Sequence, residues 1–191
     1  ILYFGMDLIQ IMKNLIIITS SIILLASCAL TIKPSNTPIS NISVVSENDT
    51  MLLGRSSKNK LLEIPYSRWF TKNYEGYKVD SNTAFLLKPL LQNKTIEIFL
   101  GTWCGDTKRE VPKMLKILAT AGMDTSNIHL IFVDHGETNR KQSPNHEENG
   151  KFIHHVPTFI VYENHKELGR IVETPLESFE KDLVTIISAL P

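Results

Sequence analysis

The stretch Gly101-Thr-Trp-Cys-Gly-Asp-Thr-Lys-Arg-Glu-Val-Pro112 sits between two different periodicities, and its reading decides the fold. Before it, Thr95-Ile-Glu-Ile-Phe-Leu100 is short and rich in β-branched and aromatic residues, the pattern of a strand. After it, Val111, Met114, Leu115, Leu118 and Ala121 recur at helical spacing, and Gly122 supplies a stop. Cys104, the only cysteine beyond residue 28, therefore falls at a strand-to-helix junction. The unpaired N–H groups and dipole of a helix N-terminus favour a thiolate there.

Working outward, Ile64 to Phe70 gathers Pro65, Tyr66, Trp69 and Phe70 into an aromatic cluster expected to pack a short helix or turn on the domain edge. Tyr74 to Val79 reads as a first strand. Ser81-Asn82 is expected to cap a helix carrying Phe85, Leu86, Leu90 and Leu91, shortened or kinked by Pro89. Ile128 to Asp134 is nearly continuous in apolar and β-branched residues, as in a buried strand. Gly136 to Gly150 is polar and charged and reads as a surface loop or a short irregular helix. Thr158 to Tyr162 and Glu167 to Val172 are strand patterns joined through Asn164-His165, an antiparallel hairpin. Thr174-Pro-Leu-Glu177 has the capping-box pattern, and Leu176, Phe179, Leu183, Ile186, Ile187 and Leu190 form the apolar stripe of a terminal helix.

At the other end, Met12-Lys13-Asn14 followed by the eleven mostly apolar residues Leu15 to Leu25 has the form of an export signal. The run is short of the ~20 residues a transmembrane helix needs. Met12 reads as the start, with residues 1 to 11 upstream of it. Leu25-Ala26-Ser27-Cys28 resembles the lipobox of bacterial lipoproteins, which implies a lipid on Cys28 after cleavage; a plain signal peptide with an incidental cysteine is the alternative. Ala29 to about Lys60 is rich in Ser, Asn, Thr and Pro and reads as a solvated tether in which Val44-Val45 and Leu52-Leu53 are the segments able to dock. The expected organisation is a leader over 1–27, an anchored tether over 28–63 and a folded domain over 64–191.

Composition bounds the function. The 191 residues hold 20 Lys and Arg against 20 Asp and Glu, with one of each sign, Asp7 and Lys13, in the leader. No basic stripe points to nucleic acid. A 42% hydrophobic content builds an ordinary core for one domain of about 100 to 150 residues. Gly-x-Gly-x-x-Gly, phosphate-loop and His-Glu-x-x-His patterns are all missing.

From about residue 74 to 191 the order strand-helix-strand, then strand-strand-helix, resembles the thioredoxin family: an α/β fold with a central mixed sheet flanked by helices. Three motifs carry the resemblance. Trp103-Cys104-Gly105 is similar to the family's active-site opening, Pro112 follows Cys104 by eight residues as the helix-kinking proline does, and Val156-Pro157-Thr158 is similar to the cis-proline turn. With the export signal, the chain looks like the membrane-anchored bacterial members. The departure is at the second cysteine: Cys104-Gly105-Asp106-Thr107 stands where Cys-x-x-Cys is usual.

The resemblance implies one-cysteine thiol–disulfide exchange without a cofactor in the cell envelope, facing the periplasm or the outer surface. Catalytic roles fall on Cys104, Thr107, Trp103 and Pro157, and substrate contacts on Gly105, Asp106, Val156 and Thr158. The partners implied are a protein disulfide or thiol, an external resolving thiol, and a membrane through the lipid. Thr107, one turn after Cys104, is positioned to donate to the sulfur but cannot form a disulfide, so resolution needs another molecule. Asp106 opposes a second negative charge unless it pairs with Lys108 or Arg109. A partner-binding lipoprotein without catalysis, an inert core cysteine, and a soft metal held by Cys104 with His135, His146, His154 and His155 stay open as alternatives.

Overall fold

The computed structural model describes residues 42–46 and 49–189. Strands β1 (Ile42–Ser46), β2 (Asp49–Ser56), β3 (Lys94–Leu100), β4 (Ile128–Phe132), β5 (Thr158–Glu163) and β6 (Lys166–Val172) lie in the order β1-β2-β4-β3-β5-β6. Strands β2 to β6 make a five-stranded mixed sheet, and β1 adds to β2 as a hairpin. Among these strands only β3 and β4 run parallel, in the register Ile98↔Leu130. Parallel neighbours need a crossover, and it is made by α3 (Gly105–Thr120). The other helices are α1 (Ser67–Gly76), α2 (Ser81–Leu90) and α4 (Phe179–Ser188).

Alternation along β3 separates two cores. Ile96, Ile98 and Leu100 join Phe70 of α1, Leu87 of α2, Val111, Met114 and Leu118 of α3, and Phe179 and Leu183 of α4. Phe99 points the other way, with Ile131, Val133, Val156 and Ile160. All four described helices thus contribute to one cluster, while the opposite face is met by the irregular connection between β4 and β5, through Ile153. Burying a side chain such as Leu118 is worth about 1.5–3 kcal/mol.

The second face is charged beyond Phe99. Glu97 of β3 bonds to Lys151 Nζ and lies 3.8 Å from Arg55 and 3.9 Å from His129 Nδ1, the last too long for a hydrogen bond. Burial alone raises the Glu97 pKa, but His129 and Lys151 outweigh it and hold the carboxyl down to about 2.

Pro112 lies inside α3 and is buried. Having no N–H, it leaves the carbonyl four residues back, on Lys108, without a helical donor. Asn73 of α1 fills the vacancy: its Nδ2 donates to Lys108 O at 3.0 Å and to Trp69 O at 2.9 Å. Helix α3 ends as expected at Gly122, which has φ +75.

Several expectations are corrected. The folded domain begins upstream of residue 64, because β2 pairs with β4 through Gly54↔Phe132, Arg55↔Ile131 and Ser56↔Leu130, and Leu52 and Leu61 are buried in the main core. A strand of polar residues around one short apolar run hides in a linker-like composition. Tyr74 to Val79 is not a strand; α1 runs through Tyr74, whose ring stacks on Phe70 at 5.5 Å. Tyr66, Phe70 and Tyr74 are a helical series, and that periodicity wins.

The cap of α2 is Asp80, which accepts from Asn82 N and Thr83 N, ahead of Ser81 and Asn82. Its buried side chains are Ala84 and Leu87, whereas Phe85 and Leu86 are exposed. The capping box at Thr174 does not form. Ser178 caps α4 by accepting from Lys181 N, Asp182 takes the N–H groups of Leu176 and Glu177, and Leu176 is fully out in solvent.

Candidate functional site

Strand β3 delivers the chain to Gly101, where a turn closed by Cys104 N donating to Gly101 O (3.0 Å) sets the entry to α3. Cys104 is the N-cap, extended at φ −78 and ψ 131, and its carbonyl accepts the first intrahelical bond from Lys108 N. The next three N–H groups have no intrahelical acceptor and lie beside the sulfur's end of the helix. The thiol is free and half-buried. It donates to the Val156 carbonyl at 3.2 Å.

That carbonyl precedes a cis peptide to Pro157. Val156, Pro157 and Thr158 are buried; Pro157 O accepts from Glu173 N (2.7 Å), and Thr158 Oγ1 donates to His155 O (2.7 Å). Thr158 pairs with Phe99 on one side and Val172 on the other. The turn is therefore fixed by β3, β6 and its own side chains, and Cys104 and Val156 meet in the second-face cluster together with Trp103.

Trp103 lies across the turn. Its Nε1 donates to Val133 O at 3.0 Å, and its ring meets His135 edge-on at 5.6 Å. A β-carbon at Gly101 would stand 2.4 Å from Trp103 Cε2, so the indole requires glycine at 101. Gly105 carries no such demand, with open space where its β-carbon would be.

Thr107 is fully buried, and its Oγ1 accepts from Gly101 N at 3.4 Å. The hydrogen bonds described for the Cys104 sulfur go to Val156 and not to Thr107. Helical spacing assigns this hydroxyl to the thiolate; the structure uses it instead to fix the turn that holds Cys104. Asp106 pairs with Arg109, which is also bound to the buried Glu110. Glu110 and Asp106 together hold the guanidinium pKa above its ordinary value. The Asp106 carboxylate is thereby countered.

Three of the four loop histidines have separate partners. His135 faces Trp103, His146 faces Glu148 at 3.3 Å, and His155 faces Glu173 at 3.3 Å. Among the described residues no three of His, Cys, Asp and Glu converge as metal ligands would. Cys28 lies outside the described residues. Among the described residues no helix is long and apolar enough to cross a membrane. Val133, Glu173 and Gly101 serve the site without being singled out by the sequence, where only glycine beside tryptophan carries a visible signal; His135, considered there as a metal ligand, packs on Trp103.

Against known proteins, no family model and no curated protein match the chain. Among solved structures it is similar to a protein of unknown function from Pseudomonas aeruginosa at 14% identity, over 64% of this chain and 79% of that one, with a TM-score of 0.38. An HIV epitope-scaffold overlaps 69% of this chain and 88% of its own at 14% identity and a TM-score of 0.31. At these scores neither match assigns a fold.

Proposed function

We propose that the chain is a thioredoxin-like, lipid-anchored protein of the bacterial cell envelope that exchanges thiols and disulfides through Cys104 alone. The observation that carries the reading is the seat of the sulfur: at a helix N-cap, part-exposed, against the carbonyl of a cis Val156–Pro157 peptide. The arrangement β3-α3-β4 followed by β5-β6-α4, with the cysteine at the first junction and the cis-proline before β5, supports the thioredoxin-like assignment. Anchoring rests on the Leu25 to Cys28 motif.

In the exchange, the Cys104 thiolate attacks a substrate disulfide and forms a mixed disulfide, releasing one substrate sulfur as thiolate. An external thiolate attacks the Cys104 sulfur and expels the second substrate sulfur. A second external thiolate then attacks the sulfur of the first, regenerating Cys104 as thiolate and leaving the small disulfide. Each thiolate released takes up the proton its attacker gave to water. Trp103 and Pro157 border the approach, and the N–H groups of the first turn of α3 offset the charge on sulfur.

The test is reduction of insulin disulfides by the full chain with an added monothiol, against Cys104→Ser. Faster reduction than by the monothiol alone, lost in Cys104→Ser, supports exchange. A protein partner retained by both forms, with no reduction by either, identifies a binding protein instead.

A further inference from the structure

The connection from β4 to β5, residues 133–157, covers the second face without a helix, and its outer side forms an open depression of about 550 Å³. Arg140, Lys141, His146, Glu148, Ile153 and His154 line it. That volume is within the ~300–1,000 Å³ of small-molecule sites.

Its charges are unevenly matched. Glu148 is fully engaged, accepting from Ser143 N (2.9 Å) and Ser143 Oγ (2.7 Å) through one oxygen and facing His146 through the other. Arg140 and Lys141 make no ion pair with any described residue, although both border the cavity. Lys141 is in the left-handed region at φ +60, and its N–H is held by Asp134 O at 2.7 Å. That bend lets side chains of successive residues border one space, which an extended chain would direct apart. Two cations without a described ion-pair partner on a fixed turn, outnumbering one glutamate whose oxygens already have partners, favour an anion with carboxylates.

The cavity is tied to the candidate site from two directions. Ile153 lines it and packs on the cluster that holds Cys104, Trp103 and Val156. Gln142, on its rim, accepts from Asp134 N, and Asp134 lies between Val133 and His135, the two residues that hold Trp103. A ligand anchored on Arg140 and Lys141 therefore rests on the segment that braces Trp103.

We infer that this cavity binds the external resolving thiol, and that the thiol is a small molecule bearing carboxylates. The inference rests on the exchange reading above and adds the identity of the missing partner. It supplies what Thr107 cannot: a thiolate held near the Cys104 mixed disulfide, which it attacks as already written, one S–S bond forming as another breaks.

Two measurements test it in the full chain. In Cys104→Ser, which lacks the proposed reacting sulfur, S-methylglutathione, which has no free thiol, is titrated calorimetrically against its dimethyl ester, and against the Arg140→Ala/Lys141→Ala double variant. Binding weakened about tenfold by either change is expected. With Cys104 present, the rate at which glutathione resolves a preformed Cys104 mixed disulfide should fall about tenfold in the double variant, while the rate with uncharged 2-mercaptoethanol is unchanged. Equal binding by both proteins, no binding, equal binding of an acidic peptide without sulfur, or equal loss with both thiols overturns the inference. Binding that depends on Arg140 and Lys141 in a protein whose Cys104 exchanges with no thiol overturns the exchange reading and the resolver role with it, leaving a carboxylate site.

Discussion

Asn73 Nδ2 donates to the Lys108 carbonyl at 3.0 Å, the acceptor that Pro112 leaves without a helical donor. A proline in mid-helix is tolerated because another helix supplies the missing N–H. The same bond fastens α1 to the helix that carries Cys104 at its start. Asn73→Ala should cost about 1 kcal/mol in urea unfolding. In a Pro112→Ala background, where the backbone N–H gained at that position restores the donor, the same change should cost much less. Additive costs in this double-mutant cycle would contradict the pairing.

Gly101 and Trp103 are coupled by exclusion, since a β-carbon at 101 would overlap the indole at 2.4 Å. Gly101→Ala should displace Trp103 from Val133 O and lose about 1–3 kcal/mol, the usual range for overpacking. The check is tryptophan fluorescence and near-ultraviolet circular dichroism beside an unfolding curve. An unchanged spectrum and stability would show that the indole is not held there.

Thr107 accepts from Gly101 N while fully buried. Thr107→Val keeps the shape and strands that N–H, so a loss of about 1–3 kcal/mol is expected. Thr107→Cys places a sulfur one helical turn from Cys104 and should start or increase insulin reduction. No gain would mean that the surroundings are not built for exchange.

Glu97 contributes to acid stability with a definite sign. Its folded pKa, about 2 against an ordinary 4.5, means that the unfolded chain binds the proton first as pH falls. The stabilisation is complete above pH 4.5 and is lost on going down to about 2. Glu97→Gln should therefore be less stable than the native chain at pH 7, with the difference shrinking below pH 4.5. A constant difference across that window would contradict the assignment.

Much of the architecture is legible where side-chain period and burial agree. The stripe Val111, Met114, Leu115 and Leu118 gives α3, and Asn164-His165 gives the β5–β6 turn, both residues taking positive φ there. Legibility fails where a tertiary partner decides. The β2 strand is set by a free edge of β4, and Thr174 to Glu177 is a sound capping box that loses because Asp182 takes its N–H groups. At the site, Cys104, Trp103, Val156 and Pro157 could be chosen from motifs and are brought together. The role of Thr107 could not, because spacing along a helix does not reveal that the hydroxyl oxygen accepts from Gly101 N.

The central claim is that the Cys104 sulfur is placed to exchange, and the rate of its reaction with an aromatic disulfide reagent near pH 7 tests that most directly. Cys104→Ser serves to subtract any contribution from Cys28. A rate clearly above that of free cysteine under the same conditions is predicted. A rate equal to or below it would contradict the account and leave Cys104 as a packed residue at a helix start.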